Sequence, residues 1–391
     1  MIIETPAHLD AFCQSLSTSA AIFIDTEFVG EGRYYPEVGT IQIGDDAQAA
    51  LIDTVALRDL TPLAELLVAP EITKVFHAAT QDLAIFHRLF GRPVTPVFDT
   101  QVAASLLGGD EQISFGNLVE RITGTHLEKS HGFTDWLRRP LSPGQIEYAL
   151  DDVRLLVPVY LHQLQDLQKR ERLVWAREEM AHLEDPAQYA PIDPAEQFQR
   201  IRGYDRLRGP ALSALRALAA WREETARTHN LPTGRIARDE VLLELARRPR
   251  QSVRELFDIR GVQAQAIERY GAGLLEAANS GRQEAPPKLR RAPALPPSLE
   301  PTVDFLILCL RSLADDLSVA SGLVASRSDL AALVVRGDSA EIALMRGWRR
   351  EVIGEGLLAT LEGKATARIL PGTRRVHLEW HHAADAASAE G

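Results

Sequence analysis

Apolar residues in the first part of the chain follow two different spacings. Short runs rich in β-formers occur at 21–25 (AIFID), 40–44 (TIQIG), 49–54 (AALIDT) and 74–77 (KVFH). They are too brief for helices and predict four strands. Asp45-Asp46 is a turn signal, so the second and third runs are expected to pair as a hairpin. Elsewhere apolar positions recur every three or four residues. That spacing predicts helices over 60–68, ending before Pro70, over 80–90, ending at Gly91, and over 99–107 and 114–122. A long helix opens after Ser142, with the serine as N-cap and Pro143 at the first helical position. Strands that give way to strand–helix alternation predict an α/β domain with a mixed sheet.

The pattern then changes. Residues 186–200 read as a connector, and from 208 to 280 every periodic segment is helical. Residues 285–301 (APPKLRRAPALPPSLEP) predict an extended, semi-rigid linker. Residues 302–371 read as helical again, and the end of the chain as a frayed tail. The two helical stretches are similar in length, which points to a degenerate repeat. The expected parts are therefore 1–190 (α/β), 200–284 (helical), 285–301 (linker), 302–375 (helical) and 376–391 (flexible tail). A chain of 391 residues exceeds one hydrophobic core, in keeping with several domains.

Charge sharpens this division. The net charge of −11 is unevenly spread. Residues 1–160 hold 10 Lys+Arg against 22 Asp+Glu, whereas residues 200–290 hold 18 against 11. An acidic front that concentrates carboxylates is followed by a module suited to phosphates. Composition is otherwise that of a globular protein, 45% hydrophobic and 25% charged. Cys13 and Cys309 are far apart, each in an apolar helical-looking stretch, and form no disulfide framework or zinc motif. No stretch of 18 apolar residues occurs, and MIIETPAHLD lacks the features of a leader. A cytoplasmic, monomeric protein without a membrane partner is expected.

The acidic front carries the chemistry. Asp25 and Glu27 end the first predicted strand, two apart and hence on one face. Asp82 lies in the first turn of the helix after the fourth strand. Tyr148 and Asp152 are four apart on the long helix and share a face, from which Asp151 points away. Oxygen-only ligands favour Mg²⁺ or Mn²⁺ over a soft metal. Two such ions about 3.5–4 Å apart can hold both the attacking water and the leaving oxygen of a phosphodiester.

The order IDTEF, HAATQDLAIF and YALDD resembles the three exonuclease motifs of the DEDD superfamily, with its ribonuclease H-like fold. YYPEVGTIQIG, FDTQVAASLLG and KSHGFTDWLRRPLSPGQIEYALDDVRLLVPVY extend the resemblance to the ribonuclease D family over roughly residues 1–190. The tyrosine at 148, with Glu147 before it, is similar to the tyrosine branch. The resemblance implies a 3′-to-5′ exoribonuclease that releases nucleoside 5′-monophosphates from transfer RNA precursors and other structured RNAs. It also implies that Asp25, Glu27 and Asp152 hold one metal ion, with Asp25 bridging to a second. Asp82 would reach that second ion directly or through water, and Tyr148 would orient the attacking water.

Residues 208–280 (LRALAAWREETARTHNLPTGRIARDEVLLELARRP, SVRELFDIRGV) resemble an HRDC domain, and 302–371 a diverged second copy. For such a domain Arg235, Arg238, Arg247, Arg248 and Arg260 are the expected nucleic-acid contacts, with Trp221 in the core. His131, in a loop near the motifs, is a further candidate for touching substrate, and His77 reads as a packed structural histidine. A chain shortened to end near Leu183 is expected to keep activity on short strands. Gly30-Glu31-Gly32 and Gly363-Lys364 lack the rest of any nucleotide-binding loop, which excludes a helicase. Single-stranded DNA stays open as a substrate, since contacts to the 2′-hydroxyl cannot be located in sequence. A non-catalytic binding protein is disfavoured by the complete acid set.

Overall fold

The computed structural model describes residues 1–127, 134–289, 295–372 and 376–380. Positions 290–294 of the expected linker and 381–391 of the expected tail lie outside these residues. The chain forms two compact units: Met1–Glu27, Gly39–Tyr189 and Pro293–Gly391 make the first, and Phe28–Val38 with Ala190–Ala292 the second.

The first unit is built on a six-stranded sheet. Its strands are β1 (Ile2–Ile3), β2 (Ala21–Val29), β3 (Glu37–Gly44), β4 (Ala49–Asp53), β5 (Thr73–Phe76) and β6 (Val97–Asp99), in the order β1-β4-β3-β2-β5-β6. The expected hairpin is β3–β4, antiparallel with Ile41 opposite Ile52. β2, β5 and β6 run parallel, as do β1 and β4, so the sheet is mixed. Ile22, Phe23 and Ile24 are all buried, as a strand covered on both faces requires. The helices of this part are α1 (Pro6–Leu16), α2 (Thr61–Leu67), α3 (Thr80–Phe90), α4 (Thr100–Leu106), α5 (Phe115–Thr123), α6 (Pro143–Lys169) and α7 (Leu173–Glu184). α3 stops at Gly91, whose φ of 64° is left-handed. α6 opens with a full capping box in which Ser142 and Gln145 satisfy each other's backbone donors. β1 and β6 are not among the expected elements, whereas α1 is the helical-looking stretch around Cys13. The two strands are too short to show alternation, while Leu9, Phe12, Cys13 and Leu16 of α1 stand at helical spacing.

The second unit is helical: α8 (Gly209–His229), α9 (Thr233–Ile236), α10 (Asp239–Arg247) and α11 (Ala264–Gln283). Leu215, Leu218, Leu242, Leu245, Leu256 and Leu274 form its core. A Cβ on Gly273 would collide with the Trp221 ring, so glycine there makes room for an indole that packs, half-buried, against this core. The segment between β2 and β3 belongs to this unit. The Asn230 side-chain oxygen accepts from the backbone N–H groups of Tyr34 and Tyr35 at 3.2 and 2.8 Å. The Tyr34 hydroxyl bonds Glu223, and Arg227 lies 5.9 Å over its ring.

The C-terminal part of the first unit repeats this layout. α12 (Glu300–Leu317) ends in a left-handed Ser318, as α8 ends in a left-handed Asn230. α13 (Ser321–Val324), an extended Ala325 and α14 (Arg327–Arg336) then follow in the order and spacing of α9, Ala237 and α10. The helical reading fails further on. Residues 365–369 and 376–380, expected as helix and tail, form an antiparallel pair, β7 (Ala365–Ile369) and β8 (Val376–Trp380). The Pro371-Gly372 turn signal and the β-branched Thr366, Ile369 and Val376 favour that hairpin.

This part shares one core with the sheet. Phe23, Val75 and Phe98 of the strands, Ala176 and Met180 of α7, and Leu306, Cys309, Leu310, Trp348 and Leu357 belong to a single buried cluster. The buried Glu179 binds Arg349 through both carboxylate oxygens, at 2.5 and 2.7 Å, and accepts from the Trp348 indole at 2.7 Å. Arg172 donates to the carbonyls of Leu106, Leu317 and Ser318. The expectation that a chain cut near Leu183 would work is therefore corrected. Such a cut leaves Glu179 without Arg349 and Trp348, leaves Arg172 with the Leu106 carbonyl alone, and uncovers the apolar face of α7, a loss of about 3–5 kcal/mol for the Glu179–Arg349 pair alone.

Candidate active site

Two elements of the first unit bring the acids and the tyrosine to one cleft. β2 supplies Asp25 and Glu27 on one face, and α6 supplies Tyr148 and Asp152 one helical turn apart. Carboxylate oxygens of Asp25, Glu27 and Asp152 lie within 4.8 Å of one another. The cleft, about 240 Å³, is lined by these three, Tyr148, Thr26, His77, Phe115 and Leu156.

Asp82 arrives differently. The chain passes from β5 into α3 through Ala78, whose φ of 56° is left-handed and unfavourable for a residue with a Cβ. Asp99 holds this bend, accepting from the N–H groups of Ala78 and Ala79 at 3.1 and 2.8 Å. Asp82 is thereby set in the first turn of α3, 8% exposed, where it accepts a hydrogen bond from the Thr26 hydroxyl. It stands outside the close trio but near enough to raise Asp25 and Glu27. Asp151 and Glu147 point away and share Arg154 on the surface.

Burial and mutual repulsion of the carboxylates dominate the electrostatics of the site. Burial, then the carboxylates of Asp152, Asp82 and Glu27, push Asp25 well above the ordinary range. Burial with Asp152 and Asp82 pushes Glu27 up to about 8. Burial raises Asp82 and Asp152 to about 7 each. Burial and the three neighbouring acids also raise Tyr148, which is therefore a neutral phenol at neutral pH. An all-oxygen donor set under mutual repulsion fits a hard divalent cation. Without one, these acids favour folding in their protonated form. Stability is fully present below the ordinary carboxylate pKa and is lost as pH rises through about 7 to 8. The protein in EDTA should therefore melt at falling temperature between pH 6 and 9, and Mg²⁺ should flatten that decline. Thermal melts at both conditions check this; parallel curves with and without Mg²⁺ would count against a cation at the trio.

His77 is packed, as its sequence position suggests, but it also forms a wall of the cleft. Its ring nitrogens lie 2.9 Å from the Thr100 hydroxyl and 3.0 Å from the Ile113 carbonyl, and burial lowers its pKa. Thr26, Phe115 and Leu156 also line the cleft without standing out in sequence, since no local pattern marks them. His131 lies outside the described residues.

The five arginines are all exposed in the second unit. Arg238 and its neighbours Gly234 and Ile236 line a small depression together with Gly261 and Val262, which brings Arg235, Arg238 and Arg260 to one region. Arg247 and Arg248 stand at the other end of α10, roughly 13 Å along its axis. Arg248 pairs with Glu244 at 3.3 Å.

Residues 1–168 match the family described as "3'-5' exonuclease", and residues 211–277 match "HRDC domain". A ribonuclease D of Sphingobium indicum is 38% identical over 95% of this chain and 97% of its own length. One from Zymomonas mobilis is 39% identical over 95% and 96%. Among solved structures, Escherichia coli RNase D, described as an exoribonuclease involved in structured RNA processing, is similar with a TM-score of 0.84. It shares 30% identity and covers 92% of this chain and 98% of that one. The catalytic core of RRP6 from Trypanosoma brucei shares the fold, with a TM-score of 0.59 over 72% of this chain and 79% of that one, at 23% identity.

Proposed function

Since the chain belongs to the ribonuclease D family of 3′-to-5′ exonucleases, we propose that it trims RNA 3′ ends, releasing nucleoside 5′-monophosphates by a two-metal mechanism. The observation that carries this reading is the trio of mutually repelling carboxylates beside a neutral tyrosine in an open cleft. Asp25, Glu27 and Asp152 would hold one Mg²⁺ or Mn²⁺. Asp25 would also face a second ion, toward which Asp82 would act. Bound divalent ions supply positive charge that acidifies the attacking water and neutralises the leaving 3′ oxygen. Tyr148 orients that water by hydrogen bond, and His77 and Phe115 wall the space beside the 3′-terminal nucleotide.

The substrates we favour are structured RNAs, the class named in the description of the Escherichia coli relative, and among them we include transfer RNA precursors. The repeated layout of α12 to α14 supports a diverged second HRDC copy at 302–375. Among the described residues no helix is long and apolar enough to cross a membrane, and both cysteines are buried free thiols. A reducing cytoplasm suits the free thiols. The direct test is hydrolysis of matched RNA and DNA oligonucleotides with Mg²⁺, sized from the 3′ end. DNA cut as fast as RNA, or products that shorten from the 5′ end, would remove this reading.

The basic second unit yields a prediction of its own. Replacing Arg235, Arg238 and Arg260 together by Gln should weaken binding of long RNA while short oligonucleotides are still cut. On single strands the slope of log affinity against log salt should shrink by roughly 0.7 for each phosphate no longer neutralised. Filter binding across a salt series measures it, and an unchanged slope counts against these three residues as phosphate ligands.

A further inference from the structure

Tyr148 can orient a water only if its ring is held still, and the structure surrounds it with a support. The indole of Trp136 lies against the Tyr148 ring, with centroids 6.2 Å apart and planes 33° from parallel. Trp136 is itself 1% exposed. Its backbone is pressed onto β3, so closely that a Cβ on Gly39 would collide with the Trp136 carbonyl. Arg139 then ties the segment to the hairpin. Its Nε and one terminal nitrogen bind both oxygens of the buried Asp53, at 2.5 and 2.7 Å. That same nitrogen reaches the Gly39 carbonyl at 2.8 Å, and the other reaches the Trp136 and Arg138 carbonyls at 2.8 and 3.0 Å. These contacts engage all five guanidinium donors, and a lysine cannot reproduce that fork. Three residues before the tyrosine, the Gln145 amide of the capping box also reaches Thr134 at 3.3 Å.

We infer that Trp136, pinned by the Asp53–Arg139 clamp, is a positioning residue that fixes the Tyr148 ring for in-line attack. This rests on the reading of Tyr148 given above. The hairpin β3–β4, which carries none of the catalytic acids, thereby sets the aim of the water-orienting group. A water misplaced by about 1 Å can cost on the order of 10²-fold in rate.

The test is a double-mutant cycle read in single turnover on a short RNA with Mg²⁺, at a temperature where every variant is folded. Trp136→Leu should lower the chemical rate by on the order of 10–10²-fold with KM nearly unchanged. In a Tyr148→Phe background the same substitution should cost little more, because the aimed hydroxyl is already gone. Arg139→Lys, a milder change, should behave the same way with a smaller loss. A second readout uses metal-free protein labelled with 3-fluorotyrosine. The ¹⁹F resonance of Tyr148, assigned by its absence in Tyr148→Phe, should sit in the indole's ring-current field and move toward the solvent position in Trp136→Leu. A full, multiplicative loss in the Tyr148→Phe background, or an unmoved resonance, would overturn the inference. A normal rate for Tyr148→Phe alone would overturn it together with the reading it rests on.

Discussion

Asp25→Asn is expected to abolish hydrolysis while leaving the protein folded and, in EDTA, more resistant to heat than the parent. Both effects share one cause. Asp25 sits where burial and the carboxylates of Asp152, Asp82 and Glu27 all oppose its charge. An amide of the same shape removes that repulsion and so stabilises the cation-free fold. It also removes the carboxylate best placed to face both metal ions. The loss should be several kcal/mol of transition-state stabilisation, a rate decrease of about 10³-fold or more. The measurement is single-turnover hydrolysis with Mg²⁺ and with Mn²⁺, paired with melts in EDTA. EDTA should silence the parent enzyme and added Mg²⁺ should restore it. Undiminished activity in EDTA would sink the two-metal reading, whatever the variant does.

Tyr148→Phe should cost on the order of 10²–10⁴ in rate, the range typical of positioned proton-transfer groups. Its affinity for RNA and for metal should barely change, since the ring and its packing on Trp136 are kept. The phenol's raised pKa argues against a tyrosinate base at neutral pH. Its contribution is therefore the aim of the water, with proton transfer secondary. Asp152→Asn should cost more, because that oxygen belongs to the trio itself. Rates taken in single turnover keep product release from masking chemistry. A near-normal Tyr148→Phe would mean another group holds the water, and His131 would be the next to replace.

Much of the site's geometry is legible from local rules. Strand alternation alone puts Asp25 and Glu27 on one face, and helical spacing puts Tyr148 beside Asp152. The hairpin and the long capped helix are legible for the same reason: alternation, the turn residues and the cap are all local. What cannot be read depends on contacts distant in sequence. Strand alternation alone gives Thr26 no place in the site, and only the approach of α3 reveals that it meets Asp82. Trp136 looks like any loop aromatic until β3 passes beneath it. The segment 28–38 lies between two strands, yet it packs with the helical unit through Asn230, nearly 200 residues away. The C-terminal hairpin escapes a reading by periodicity because Leu361, Ala365 and Ile369 stand four apart, a spacing that reads as helix although the last two belong to β7.

The division of the chain has a consequence for how the protein is made. The sheet, α7 and the C-terminal helices share one core, but most of the helical second unit is interposed between them in sequence. A ribosome therefore delivers the nuclease in two instalments. Residues 190–292 can fold as soon as they emerge, whereas the sheet waits for Leu306, Trp348 and Leu357 to cover α7. Until those residues are translated, Glu179 has neither Arg349 nor Trp348 to bind. A nascent chain stalled in the linker thus holds every catalytic side chain but lacks part of the packing beneath them. Full nuclease competence should arrive only once Leu306, Trp348 and Leu357 have emerged.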